Sequence, residues 1–230
     1  MSIFSYHLAK VSVFTALKMI LLSPKPNNIK GLIHIEFMNS MTLGASILSP
    51  SRILIRQIAV FAQWENENAI DEFLKNNAFG QTLANGWHIR LTLTRQWGKI
   101  SGFKINNELL EENLSNIPVV AVTIARMKLP EVPRFINWGK PIEKLVRDHP
   151  GTLLSSASIR LPRTVSTFSI WKSQKEMTDM VYGHSAVSNP KRHINAMKER
   201  ERKDFHFEFT TLRFKPVSEF GKWNGKTYIS

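Results

Sequence analysis

An α+β chain assembled from two tandem units, each running strand, helix, strand, strand, helix, strand, is the fold class this sequence predicts. Three observations predict it. The 230 residues are 43% hydrophobic and 21% charged, which suits one large globular domain or two small ones. A β-rich run ending in Phe-x-x-Trp occurs twice, as Phe61-Ala62-Gln63-Trp64 and Phe168-Ser169-Ile170-Trp171, and each leads through polar residues into a helical pattern. The segment Trp97-Gly98-Lys99-Ile100-Ser101-Gly102 is echoed by Phe220-Gly221-Lys222-Trp223-Asn224-Gly225. Split β-α-β units of this order are ferredoxin-like. A tandem duplication of them can close its sheets into a barrel with helices outside, a dimeric-α+β-barrel-like arrangement within one chain.

The first unit spans residues 1–102. Ser5 to Ala9 reads as a strand, and the apolar run Val11 to Leu22 as part of an amphipathic helix from Ser12 to Leu22. That run is shorter than the roughly 20 residues of a bilayer span, and Thr15 and Lys18 interrupt it. Ser23-Pro24-Lys25-Pro26 after it is no signal cleavage site, so a soluble or membrane-peripheral cytoplasmic protein is expected. Strands follow at Gly31 to Phe37 and Ile53 to Ala62, a helix at Ala69 to Lys75, and an alternating strand at Trp87 to Thr94. Gln96 to Pro118, rich in Asn and Glu, reads as the connection.

The second unit spans residues 119–230. Val119 to Ile124 reads as a strand and Pro133 to Val146 as a helix, with Phe135, Trp138 and Ile142 at helical spacing as a buried stripe. Leu153 to Ile159 and Thr164 to Ile170 form a hairpin-like pair around Leu161-Pro162-Arg163, and Phe205 to Phe214 is the closing strand. The copies differ in length. Most of the extra sequence lies at 181–204, a helical segment that carries His184 and His193 and is where added function is expected.

Composition narrows the chemistry. Zero cysteines exclude a disulfide scaffold, a thiolate zinc site, an iron–sulfur cluster and thiolate-ligated haem. A formal charge of +13 favours an anionic partner: an acidic protein, an anionic lipid or nucleic acid. The Lys/Arg-Gly-aromatic core strand of RNA-recognition domains is absent, which makes nucleic acid the weakest of these. There is no dinucleotide fingerprint, phosphate loop, zinc-protease motif or nucleophile elbow.

Seven histidines remain. His7, His34, His88 and His206 lie in or beside strands and read as satisfied structural residues, and His149 before Pro150-Gly151 as a helix-ending surface residue. His193 lies in a helix from Pro190 to Arg200, where helical spacing puts Ala196, Met197 and Arg200 on its face. From the residues alone it is either a half-buried helix histidine or an iron ligand. In the second case Met197 would cover a haem and Arg200 would meet a propionate. Asn189 one turn earlier, or a backbone carbonyl, would then hold the other ring nitrogen. His184, after Tyr182-Gly183, sits in a looped stretch and is the weaker ligand, with His206 the third alternative.

The second unit also resembles the spheroidene monooxygenase family of carotenoid biosynthesis. Carrying the resemblance are Thr123-Ile124-Ala125-Arg126, Arg134-Phe135 with Trp138, Pro150 to Ser155, Thr167 to Trp171, Met177, Val181-Tyr182, His193 with Phe205 twelve positions on, Glu208, Arg213-Phe214 and Gly221 to Gly225. Lys30-Gly31-Leu32 and Phe61 to Trp64 extend it to the first unit. The sequence departs from the family at Ile159-Arg160-Leu161-Pro162, where an acidic residue is replaced by Arg160, and at a thinned glycine stretch, Met41 to Gly44. The resemblance implies a haem (iron) oxygenase of the α+β barrel type. It would use dioxygen and electrons from an acidic carrier such as a ferredoxin on an apolar polyene. Its basic surface equally suits a peripheral membrane contact. A non-enzymatic haem or isoprenoid binder on the same scaffold is the alternative.

Overall fold

The chain closes eight antiparallel strands into a barrel, seen in a computed structural model that describes residues 2–46, 49, 52–105 and 117–229. The strands are β1 (Ile3–Lys10), β2 (Leu32–Met41), β3 (Ile53–Trp64), β4 (Trp87–Lys99), β5 (Val119–Met127), β6 (Thr152–Arg160), β7 (Thr164–Trp171) and β8 (His206–Phe220). Around the barrel they run β1-β3-β2-β6-β7-β5-β8-β4, and β4 pairs back onto β1. Each half therefore has the same internal order, with its fourth strand beside its first and its third between first and second. The halves join along two seams, β2 with β6 and β4 with β8.

The two tryptophans hold equivalent places. Trp64 ends β3 opposite Ile3 and Leu32, the first residues of β1 and β2. Trp171 ends β7 opposite Val119 and Thr152, the first residues of β5 and β6. Each indole nitrogen donates 2.8 Å to a serine, Ser5 or Ser169. Both lead into capped helices. Asn66 caps α2 (Glu67–Asn76) through Ala69 N, and Ser173 caps α5 (Gln174–Val181) through Glu176 N. Outside the barrel, α1 (Val13–Leu21), α2 and α3 (Ala78–Ala84) cover the first half, while α4 (Val132–Asp148), α5 and α6 (Arg192–Arg202) cover the second.

Alternation along each strand divides the side chains between two layers. Phe4, Tyr6 and Leu8 of β1 point into the barrel with Phe61, Trp87, Phe168, Leu212 and Phe214. Ile3 and Ala9 face the helices instead. The chain leaving each fourth strand then turns across a barrel end. Ile100, Phe103 and Ile105 pack on the interior cluster after β4, and Trp223, Tyr228 and Ile229 do so after β8. The Gln63 side-chain amide fastens the first plug, accepting from Lys104 N at 2.9 Å. The Glu219 carboxylate fastens the second, accepting from Tyr228 N and Ile229 N at 2.8 and 2.9 Å.

The ends of the fourth strands explain the recurring glycine. Gly98 and Gly221 both sit at φ +74°, and a Cβ would stand 2.2 Å from Phe209 O in one and 2.4 Å from Gly86 O in the other. Only glycine fits both the left-handed backbone and the close approach.

Several sequence expectations change at their edges. β4 continues five residues past Thr94 to Lys99, because it pairs with β8 along that whole length. The short helix α3, capped by Asn77, was not foreseen. Of the expected connection, residues 106–116 lie outside the described residues. In α4 the stripe Phe135, Trp138, Ile142 is half-buried, and Leu145 is the helix's buried residue. The reason is that Phe135 and Trp138 pack at the margin of a small cluster with Met127 and Phe205, not beneath it. Trp138→Ala is accordingly expected to cost about 1–2 kcal/mol in urea unfolding, below the figure for a fully buried indole.

Candidate functional site

Helix α6 carries the residues that the sequence singled out. His193 lies in its first turn with its ring beside the Val181 carbonyl at the end of α5. Burial holds the imidazole below its ordinary pKa, so it is neutral at neutral pH. Its Nδ1 is buried and hydrogen-bonds no described residue. Ala196 is buried on the same helix face and Met197 is half-buried. Of the two acceptors expected for His193, the backbone carbonyl is the one nearby. Asn189 instead turns its amide to Ser188 Oγ, at 2.9 Å. Arg200 is engaged elsewhere: its guanidinium lies 3.7 Å over the Phe209 ring and 3.6 Å from Asp204. His184 is exposed in the turn after α5, as expected for a looped residue.

The neighbourhood of Arg200 contains His206, third among the candidate ligands after His193 and His184. His206 opens β8, buried, with Nδ1 2.9 Å from Asp204 Oδ1. Phe135, Phe205 and Phe209 surround its ring at centroid distances of 5.5, 5.7 and 5.0 Å. Its Nε2 is buried without a hydrogen bond to a described residue. A carboxylate on one nitrogen fixes the tautomer and the direction of the other, the arrangement that orients metal-ligating or proton-transferring imidazoles. The sequence offers His206 as a ligand alternative, but not its pairing with Asp204, which depends on the turn into β8.

The other histidines divide similarly. His34 is satisfied, 2.9 Å from Glu36. His149 does end α4 but is buried, not on the surface: Trp171 covers its ring at 5.1 Å, and its nitrogens meet Ser185 and Gly151 N. His7 and His88 stack outside the barrel at 4.9 Å, with Phe220 against His88 at 4.7 Å. His7 Nε2 meets Ser5 Oγ at 2.9 Å, whereas neither nitrogen of His88 is bonded to a described residue. The expectation of satisfied structural histidines thus holds for His34, half-holds for His7 and His206, and is corrected at His88. A flat contact between aromatic rings can bury an imidazole without serving its nitrogens.

One end of the barrel gathers charge. Glu36 is buried, with His34 at 2.9 Å, Arg126 at 3.2 Å and Arg160 at 3.6 Å from its oxygens. Burial alone would raise this carboxyl; the His34 contact and the two arginines hold it below the ordinary range. These residues, with Leu161-Pro162-Arg163, Thr164 and Phe207, line an open cleft of about 420 Å³. Arg160, the departure noted in the sequence, is therefore a partner of Glu36. Deeper in the interior, Ser40, Ser158 and Ser166 stand side by side on β2, β6 and β7. The Tyr6 hydroxyl lies beside Ser156 and Ser158 without good hydrogen-bonding geometry, and burial raises its pKa. The interior around this polar zone is filled by rings, with Tyr6 and Phe168 stacked at 3.8 Å.

No protein-family model matches the sequence, and no curated protein matches it. Solved structures resemble it distantly. A candidate monooxygenase from Fusobacterium nucleatum is 12% identical, covering 96% of this chain and 94% of that one, with a TM-score of 0.41. A ferredoxin-fold protein from Listeria monocytogenes, related to antibiotic biosynthesis monooxygenases, is 10% identical over 97% of both chains, with a TM-score of 0.32. A heme-degrading enzyme from Listeria monocytogenes is 10% identical, covering 90% of this chain and 98% of that one, with a TM-score of 0.29. At such distance the chemistry has to be read from this chain's own residues.

Proposed function

We propose that this protein is a haem-dependent monooxygenase built on a duplicated ferredoxin-like unit, with His193 as the iron ligand. The observation that carries the reading is the state of His193: half-buried, neutral and helix-held, with a buried, unpartnered Nδ1 and a backbone carbonyl beside its ring. That is the donor chemistry that would hold the iron of a haem. The resemblance of Thr167 to Trp171 and of the His193 to Phe205 spacing to the spheroidene monooxygenase family supports it, and supports a carotenoid-like polyene as substrate.

Bound haem would supply dioxygen activation with electrons from an external carrier. The chain's own contribution is to hold a neutral imidazole at a fixed angle and to keep water from its buried nitrogen. Met197 can cover an apolar ring edge. Arg200 would have to leave Phe209 and Asp204 to meet a propionate, so its assignment is the weaker of the two. The charge of +13 suits an acidic electron carrier such as a ferredoxin.

Expression with added haem tests the reading. A Soret band is expected in the wild type, lost in His193→Ala and kept in His184→Ala, with circular dichroism confirming that each variant folds. Loss in His206→Ala instead would move the ligand to the Asp204–His206 pair, which is the second reading its geometry favours. No Soret band in the wild type removes haem altogether. Reductant-dependent oxidation of a carotenoid that stops without dioxygen separates the oxygenase from a simple haem or isoprenoid binder.

A further inference from the structure

Helix α1 is built the wrong way round for a helix that serves only to cover the barrel. It buries the small and flexible Ala16 and Met19 against β2 and β3. Phe14 is 86% exposed and Leu21 76%, while Val13, Leu17 and Leu22 are exposed as well. At 3.6 residues per turn, Val13, Leu17, Leu21 and Phe14 fall within an arc of about 100°, so they form one apolar crest. Ile55, also exposed, stands beside the start of the helix, where Val11 N donates to Arg56 O at 2.8 Å. Contiguous exposed apolar side chains of this size mark a contact surface.

Charge identifies the contact. Residues 1–64 contain Lys10, Lys18, Lys25, Lys30, Arg52 and Arg56 against a single acid, Glu36. Glu36 is buried in the cleft, and Arg52 is taken by Glu143 at 2.6 and 2.7 Å. Lys10, Lys18, Lys25, Lys30 and Arg56 are exposed. An apolar crest with cations and no exposed acid is the pattern of a helix lying in a membrane interface, its rings among acyl chains and its cations at anionic headgroups. A second copy would bring the same cations face to face.

We propose that α1 seats this protein on the surface of an anionic lipid bilayer. The two components divide the work: Phe14, Leu17 and Leu21 enter the interface, and Lys18, Lys25 and Arg56 select negative headgroups. Met19 and Ala16 keep the helix anchored to the barrel, so docking needs no unfolding. The contact stands whether or not haem is bound.

Vesicle sedimentation with the full chain tests it. Binding is expected to phosphatidylcholine vesicles containing phosphatidylglycerol, to fall with added salt, and to be weak on phosphatidylcholine alone. Phe14→Ser with Leu21→Ser should lower partitioning by at least about tenfold, and Lys18→Glu with Lys25→Glu should abolish the preference for anionic vesicles. These positions are exposed, so melting temperatures should stay unchanged. No wild-type binding, or equal binding by the serine variant, overturns the proposal. So does a concentration-dependent dimer that the serine variant dissolves, which would make α1 a self-association face.

Discussion

Phe168→Ala is expected to lower unfolding free energy by about 3–5 kcal/mol, the range for deleting a buried phenyl ring. Phe168 is 1% exposed, lies flat on Tyr6 at 3.8 Å and meets the edge of Trp87 at 6.0 Å. Truncation removes the stacking partner of a tyrosine whose hydroxyl is already poorly served, and the barrel wall cannot collapse into the gap because both faces are backed, by rings inside and helices outside. Phe207, on the rim of the same closing strand as Phe214, is the control. It is half-exposed, its main contact is Arg163 at 5.7 Å, and its alanine variant should stay within about 0.5 kcal/mol of wild type. Denaturant unfolding of the pair checks this, and equal losses would mean the barrel interior is not the core.

Acid should destabilise the fold before its carboxylates are titrated. Burial, with Arg90 adding to it, pushes His88 down to about 4, and burial likewise lowers His7. Above pH 6.5 both are neutral in the folded and unfolded chain, and they contribute nothing. As pH falls below 6.5 the unfolded chain takes up protons that the folded stack refuses, so stability drops towards pH 4. For His88 this amounts to about 2 kcal/mol between pH 7 and pH 5, and His7 acts in the same direction. Glu36 and Asp204, whose pKa values are lowered, act only at more acid pH. His88→Phe keeps the stack on His7 and Phe220 while removing one titration, so its stability curve between pH 7 and pH 5 should be flatter. A wild-type curve that is already flat there would rule out the buried neutral pair.

What could be read from the sequence followed what is local and periodic. Trp64 and Trp171 announced themselves because each ends a β-rich run before a polar cap, and Gly98 and Gly221 because a left-handed backbone restricts the residue. Strand register was not legible: nothing local says that Ser40, Ser158 and Ser166 share a level, since pairing of β2, β6 and β7 sets it. The site was legible only in part. His193 and its helix-face neighbours followed from spacing, but Arg200's attachment to Phe209 and Asp204 depends on where α6 meets β8. The pairing of His7 with His88 links residues 81 positions apart, and the pairing of Arg52 with Glu143 spans 91. Hydropathy read α1 as amphipathic without telling which face would point outward.

The two seams that close the barrel are unequal. β4 and β8 pair from His88↔Phe220 to Lys99↔Phe209, whereas β2 and β6 share only Asn39↔Ile159, Ser40↔Ser158 and Met41↔Ala157. Such a molecule behaves like a book with a long spine and a small clasp. Thermal opening starts at the clasp, and the amides of β2 and β6 there should exchange with deuterium well before those along the spine. Breathing of this kind would expose the serine hydroxyls and the Glu36 carboxylate to solvent while leaving the plugged ends in place. The protein then has a sideways route to its polar interior, with Arg160 standing at the threshold.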